Sequence, residues 1–223
     1  MMLAAGLVKN SFVDYPGCIA AVVFTPGCNM DCWYCHNKHL WKSEELLSME
    51  EIYGFLDTHR DFLDGVVISG GEPTMQPGLS EFIGGVRGMG YRIKLDTNGT
   101  NPDIVEKLLP SLDYVAMDVK APPGDYGKVV SYQMDETPVW KTADMLMGSG
   151  ISYEFRTTFM PLLEIADIES IAARIKGARR YALQQYRKTK NVKVVPEPHS
   201  KEYLNAAAHA ARNYVIEVVI RGI

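Results

Sequence analysis

Positive charge is in short supply in this chain: 23 lysines and arginines face 27 aspartates and glutamates across 223 residues, a formal net charge of -4. A polyanion partner needs a basic patch, so nucleic acid is not an expected ligand. The one basic cluster, Arg174 to Lys193, is interrupted by Tyr181, Ala182, Leu183 and Tyr186 and reads as the solvated side of a helix. Long apolar runs are missing as well. None approaches the ~20 residues that a bilayer span requires, so no membrane is expected as a partner. The segment from Met1 to Gly17 has a short apolar patch without a basic stretch before it or a convincing cleavage site after it, and the expected location is the cytoplasm. Cysteine is scarce too: of four, three fall between Cys28 and Cys35. Such crowding is awkward for disulfides and natural for metal. The fourth, Cys18, opens an apolar run and reads as a small buried hydrophobe rather than a ligand.

Repeats and low-complexity segments are also absent, and what recurs is alternation. Short apolar runs at Cys18–Phe24, Gly65–Ser69, Tyr91–Leu95, Tyr114–Asp118, Ser152–Phe159, Val192–Val195 and Tyr214–Ile220 predict strands. Helical patterns lie between most of them. Ser48-Met-Glu-Glu51 reads as a capping box opening a helix towards Arg60. Leu79–Met89, Pro102–Leu109, Thr137–Gly148, Ala166–Lys176 and Lys201–Arg212 supply five more. Alternation of this kind argues for an α/β fold in one domain, residues 1–223, with a mostly parallel sheet. The units are too few for a closed eight-fold barrel of about 250 residues, so the expectation is a partial, open (β/α)6-type barrel. Chemistry in such folds sits at the carboxyl ends of the strands. The glycine-rich and polar stretches Gly27–Asn37, Gly70–Pro73, Asp96–Thr100 and Asp118–Lys120 all follow predicted strands, and would share one rim. Pro122–Glu136, rich in proline, glycine and polar residues, reads as a loop over that rim or as a plain connection.

Two of these stretches carry chemistry. Cys28-Asn-Met-Asp-Cys32-Trp-Tyr-Cys35 has the spacing Cys-x3-Cys-x2-Cys. Three thiolates on one tight loop suit three corners of an iron–sulfur cubane, or zinc. A structural zinc takes four protein ligands; His36 and His39 are nearby candidates, so a zinc loop or a redox dithiol stays open on this motif alone. Ser69-Gly70-Gly71-Glu72-Pro73 follows a strand directly. Its glycines would let a ligand approach the backbone, and Glu72 would accept hydrogen bonds from an ammonium group. An ordinary strand-to-helix turn is the plain alternative.

Taken together, the cysteine loop after one strand and the Gly-Gly-Glu turn after the next resemble the radical S-adenosylmethionine superfamily. The resemblance implies a [4Fe–4S] cluster on Cys28, Cys32 and Cys35, whose open iron chelates S-adenosylmethionine. It implies reductive cleavage to methionine and a 5′-deoxyadenosyl radical, so that no catalytic side chain is expected beyond the cluster and cofactor. Gly70, Gly71 and Glu72 would meet the methionine amino group, and Tyr34 would lie near the adenine. Thr97, Asn98, Asp118 and Lys120 would approach the ribose and carboxylate. Asp96 and Asp118 would share a monovalent cation, as hard oxygen ligands suit one, although both residues also read as turn caps. Arg156, a charge inside the apolar strand Tyr153–Phe159, would contact the methionine carboxylate. His199 would stack near the adenine, with a surface-loop histidine as the equal alternative.

The stretch from Gly6 to Gly17, containing Asp14-Tyr-Pro-Gly17, and Cys35-His36-Asn37 sharpen the resemblance to the glycyl-radical-enzyme activating branch, closest to the activating proteins of anaerobic ribonucleoside-triphosphate reductase. This implies a protein substrate, a glycyl radical enzyme, and flavodoxin or ferredoxin as reductant. Too few cysteines are present for additional ferredoxin-type clusters. Three alternatives stand beside it: a radical enzyme acting on a small molecule, such as a 7-carboxy-7-deazaguanine synthase; a non-catalytic iron–sulfur electron carrier; and a zinc-binding interaction module.

Overall fold

The structure, a computed structural model, describes residues 2–41, 43, 45–130, 132–188 and 197–222. Among the described residues, eight strands follow one another through the sheet in chain order: β1 (Gly6–Ser11), β2 (Ala20–Thr25), β3 (Gly65–Gly70), β4 (Arg92–Thr97), β5 (Tyr114–Asp118), β6 (Ser152–Phe159), β7 (Arg180–Gln185) and β8 (Glu217–Arg221). The β1–β2 pair is antiparallel; the pairs β2–β3, β3–β4, β6–β7 and β7–β8 are parallel. Strand order that never reverses is the winding of a singly wound β/α sheet, without the switch point of doubly wound folds. Among the described residues the intervening α-helices are α1 (Met49–Thr58), α2 (Leu79–Gly88), α3 (Pro102–Leu108), α4 (Thr137–Gly148), α5 (Ile165–Arg174) and α6 (Lys201–Ala211).

The chain divides into two compact units. The first comprises Met1–Asn29, Asn37–Thr97 and Asp103–Val115; the second comprises Met30–His36, Asn98–Pro102 and Ala116–Ile223. In the first, Val66, Val67 and Ile68 of β3 are all fully buried, as expected of a strand covered on both faces. Leu79, Phe82, Ile83 and Val86 of α2 repeat at helical spacing and are buried together. Ser48 forms the predicted capping box: its Oγ accepts the Glu51 N–H at 3.1 Å, and the Glu51 carboxylate accepts the Ser48 N–H at 2.8 Å. In the second, Phe155 and Phe159 of β6 and Tyr181, Ala182 and Leu183 of β7 are fully buried.

β5, β6 and α4 have the predicted bounds, and the other predicted elements shift at their ends. Two strands were not foreseen. β1 is one, an edge strand whose Val8, Lys9 and Asn10 are exposed. The other is β7, which corrects the reading of Arg174–Lys193 as one solvated helix side. Arg174 ends α5, while Arg180 begins a buried strand. Their charges are met by acids: Arg174 pairs with Asp144 at 2.7 Å and Arg180 with Glu217 at 2.7 Å. The predicted strand Val192–Val195 lies outside the described residues.

Candidate functional site

In the first unit, parallel pairing brings the carboxyl ends of β2, β3 and β4 to one sheet edge. Gly71 N–H donates to the Thr25 carbonyl at 2.9 Å, and Glu72 N–H donates to the Gly27 carbonyl at 2.9 Å. The turn after β3 thus lies directly against the segment that leads into Cys28. Contact is too tight for any side chain: a Cβ on Gly71 would fall 1.7 Å from the Gly27 carbonyl oxygen. At Gly70, φ is +117° and a Cβ would fall 2.3 Å from the Thr25 nitrogen. These glycines therefore accommodate the chain's own backbone. The segments are further tied by Asn37, whose Nδ2 donates to the Gly70 carbonyl at 3.0 Å, and by Gln76, whose Nε2 donates to the Pro26 carbonyl at 2.7 Å.

Glu72 is 1% exposed. Its Oε1 accepts the Thr74 N–H at 3.1 Å, the Thr74 hydroxyl at 2.5 Å and the Thr97 hydroxyl at 2.8 Å. Burial of a carboxylate is costly unless it is hydrogen-bonded, and these donors meet that need while fixing its direction. On the adjacent strand, Lys94 Nζ donates to Asp96 Oδ1 and Ser69 Oγ donates to Asp96 Oδ2 at 3.1 Å. Cys18 is buried with its thiol 3.8 Å from the Pro16 carbonyl, and burial pushes its pKa up, which suits a small hydrophobe.

In the second unit, the Cys32–Cys35 turn is bound to the segment after β5. Cys32 bridges Val130 by backbone pairing, Trp33 N–H donates to the Val129 carbonyl at 3.2 Å, and Trp33 Nε1 donates to the Lys128 carbonyl at 3.0 Å. Cys35 N–H closes a turn on the Cys32 carbonyl at 3.1 Å. The described residues of Pro122–Glu136, a stretch left open by the sequence, form a strap with a short 3-10 turn at Tyr126–Lys128. Glu136 clasps it by accepting Gly124 N–H, and it also accepts Trp140 Nε1 at 3.2 Å. A cavity of about 640 Å³ opens here, lined by Gly124, Tyr126, Gly127, Val130, Tyr132, Gln133, Met134 and Glu136.

Asp118 is the electrostatic centre of this unit. Arg156 Nε donates to Oδ1 at 2.8 Å and Lys120 Nζ to Oδ2 at 3.1 Å. Burial pushes the carboxyl up, but Arg156 and then Lys120 outweigh it and hold Asp118 well below the usual carboxylate range. Burial likewise works against the Lys120 ammonium, and Asp118, Cys32 and Tyr34 more than offset it, so its pKa is raised. Stability from the Asp118 pairing is present above the ordinary carboxylate pKa of about 3.9 and is lost only as pH falls towards the depressed folded value. Asp118→Asn is expected to melt several degrees below the wild type at pH 7 and at pH 5. The gap should narrow at pH 3; melts at the three pH values check it.

Tyr34 is buried, edge-on to Trp33 at 5.4 Å, and its hydroxyl has no hydrogen-bond partner among the described residues. A buried unsatisfied hydroxyl is uncommon, and it fits a site completed by a polar ligand. Asn98 turns inward: its Oδ1 accepts the Thr100 N–H at 3.0 Å and the Thr100 hydroxyl at 2.6 Å, an Asx turn. His199 donates from Nε2 to the Leu163 carbonyl at 2.8 Å and packs against both Phe159 and Tyr203, with ring centroids at 4.3 and 4.8 Å. These contacts give it an ordinary packing role.

The residues thus fall into two sets: Gly70, Gly71, Glu72 and Thr97 in the first unit, and Tyr34, Asp118, Lys120 and Arg156 in the second. Sequence reasoning passed over Asn37 as a loop anchor, Gln76, Trp33 and Lys94. Only Lys94 carried a readable signal, a lysine between Ile93 and Leu95 at strand spacing from Asp96.

No disulfide joins the cysteines. Among the described residues no three His, Cys, Asp or Glu side chains are gathered into a ready-made metal group, so the fit to a cluster rests on donor chemistry. Cys28, Cys32 and Cys35 are three soft thiols on one anchored loop, which suits iron–sulfur.

Residues 22–175, more than half of the chain, match the family model of the Radical SAM superfamily, and the chain belongs to that family. It is therefore a radical S-adenosylmethionine enzyme, of a class that works with a [4Fe–4S] cluster and S-adenosylmethionine. Among relatives, it is 37% identical over 234 residues to a Methanocaldococcus jannaschii protein named "Putative glycyl-radical enzyme activating enzyme", covering 99% of this chain and 96% of that one. It is 35% identical to a 7-carboxy-7-deazaguanine synthase of Neisseria meningitidis over 94 residues, 42% of this chain and 40% of the relative. It is 35% identical to a pyruvate formate-lyase-activating enzyme of Clostridium pasteurianum over 115 residues, 48% of each chain. The fold is shared with SuiB of Streptococcus suis at a TM-score of 0.70 and 13% identity, over 90% of this chain and 49% of that one. No helix among the described residues is long and apolar enough to cross a membrane.

Proposed function

We propose that this protein is a glycyl-radical-enzyme activating enzyme, and that its partner is an anaerobic ribonucleoside-triphosphate reductase. The observation that carries the activating-enzyme reading is end-to-end similarity to the Methanocaldococcus protein; the choice of partner rests on the sequence resemblance at Gly6–Gly17 and Cys35–Asn37. The likeness to the deazaguanine synthase covers 42% of this chain, against 99% for the Methanocaldococcus protein, and that contrast favours a protein substrate over a small one.

Cys28, Cys32 and Cys35 would ligate three irons. The cluster and S-adenosylmethionine supply the chemistry when bound: one electron breaks a carbon–sulfur bond and yields a hydrogen-abstracting 5′-deoxyadenosyl radical. The chain's own residues bind and orient. Glu72, fixed by Thr74 and Thr97, receives the methionine ammonium beside Gly70 and Gly71. Arg156 and Lys120, both anchored on Asp118, present positive charge to the carboxylate. Thr97 and Asn98 serve the ribose side, and Tyr34 the adenine. His199 keeps an adenine role only if its ring leaves the packing with Phe159 and Tyr203. The strap cavity suits an extended peptide segment: two glycines in its lining let a backbone come close, and about 640 Å³ lies within the usual range for ligand pockets. Flavodoxin or ferredoxin would deliver the electron in a cytoplasmic setting.

Anaerobic incubation of the reduced holoprotein with the reductase and S-adenosylmethionine should produce a glycyl doublet in the electron paramagnetic resonance spectrum. Cofactor cleavage without that doublet, together with turnover of a free metabolite, would overturn the activase reading. No cleavage at all would return the chain to the electron carriers.

A further inference from the structure

A monovalent cation shared by Asp96 and Asp118, as the sequence resemblance implies, does not fit the residues present. Lys94 is the reason in the first unit. Its side chain is 1% exposed, inside β4, where lysine is rarely found unless paired. Lys94 and Asp96 stand two apart on one strand and so share a face, and Nζ donates to Asp96 Oδ1. Ser69 Oγ donates to the other oxygen at 3.1 Å. A sodium or potassium ion at Asp96 would therefore sit beside an ammonium on the same carboxylate, and like charges at that range repel. In the second unit, Arg156 and Lys120 already take both oxygens of Asp118.

We propose that Lys94 is the fixed counter-charge of Asp96, and that this chain binds S-adenosylmethionine without any monovalent cation. Lys94 is a positioning residue: it acts through Asp96, fixing the carboxyl end of β4, where the next residue, Thr97, donates to Glu72 at 2.8 Å. A tethered ammonium is present at every salt concentration, whereas a bound ion must be recruited from solution. The proposal rests on the cofactor reading of the site and departs from it only in the cation.

The experiment measures S-adenosylmethionine binding to anaerobically reconstituted holoprotein by equilibrium dialysis, in potassium chloride, sodium chloride or choline chloride at equal ionic strength. Wild-type affinity is expected to agree within about twofold across the three salts. Lys94→Met removes the Lys94 ammonium from Asp96. It should bind about tenfold more weakly in choline chloride and recover in potassium or sodium chloride. Lys94→Arg keeps the charge and should remain salt-indifferent. Melting of the cluster-free protein gives a second readout: potassium should raise the Tm of Lys94→Met above its value in choline, and leave the wild type unchanged.

A wild type that loses tenfold or more in choline chloride overturns the proposal, as does a folded Lys94→Met that ignores the cation. Should Lys94→Met fail to fold, the wild-type comparison still decides. Absence of binding in every salt is a different result, and overturns the cofactor reading itself.

Discussion

Alanine in place of any one of Cys28, Cys32 or Cys35 is expected to leave a purified protein with little acid-labile sulfide and no measurable cleavage of S-adenosylmethionine. The argument is one of ligand number. The loop offers three thiols, with the fourth iron reserved for the cofactor, and the nearby His36 and His39 are imidazoles rather than the thiolates that such a cluster takes. Loss of one ligand of a cubane therefore removes the assembly rather than weakening it. The loop itself should survive, because its anchors are elsewhere: the Trp33 bonds to Val129 and Lys128, and the Asn37 bond to Gly70. Each variant should accordingly melt close to the cluster-free wild type. Cys18→Ala is the control. That thiol is buried in the first unit against the Pro16 carbonyl, and its replacement should keep full iron and sulfide. Metal and sulfide analysis of anaerobically purified protein reads all four variants. Zinc without sulfide in the wild type would favour the interaction module, and loss of the cluster in Cys18→Ala would show that the ligand set is misassigned.

The sequence made some features of this molecule plain and hid others for physical reasons. β5, β6 and α4 were legible to the residue because apolar runs and turn residues bound them on both sides. β7 was not. Arg180-Tyr-Ala-Leu-Gln-Gln185 mixes a charge and two amides with three apolar residues, and its two parallel partners, β6 and β8, make it a strand. That is tertiary context overriding local pattern. β1 hides likewise, since an edge strand needs few apolar side chains. At the site, residue types were readable, but what each side chain touches was not. Spacing singled out Glu72 and Asp118 without revealing that Thr97 restrains one and Arg156 the other. Lys94 is the sharpest case: its strand spacing from Asp96 is legible, but its burial beside that carboxylate comes only from the fold.

Gly71→Ala is expected to be the most damaging single-methyl change in the chain. Glycine in a cofactor turn invites the explanation that a ligand needs room. Here the room is already taken, since the added carbon would lie 1.7 Å from the Gly27 carbonyl oxygen and 2.6 Å from its carbon. Neither atom is the tip of a flexible side chain, so the clash is relieved only by moving backbone. Movement in turn stretches the Gly71 N–H bond to Thr25 and the Glu72 N–H bond to Gly27, both 2.9 Å, each worth about 1 kcal/mol net. With the strain added, a cost of about 3 kcal/mol follows, and the Tm should fall by roughly 6–12 °C for a chain of this size. Function should fall further than stability, because the displaced segment is the one that leads into Cys28. S-adenosylmethionine cleavage per cluster should drop by about 100-fold even where the protein is folded. Gly84→Ala provides the comparison. That glycine is exposed on α2 with open space around its missing Cβ, and alanine there should be neutral or stabilise by up to ~1 kcal/mol. If Gly71→Ala instead melts with the wild type and keeps its turnover, the close approach to Gly27 is not what requires glycine, and the older explanation, space for the methionine amino group, regains its place.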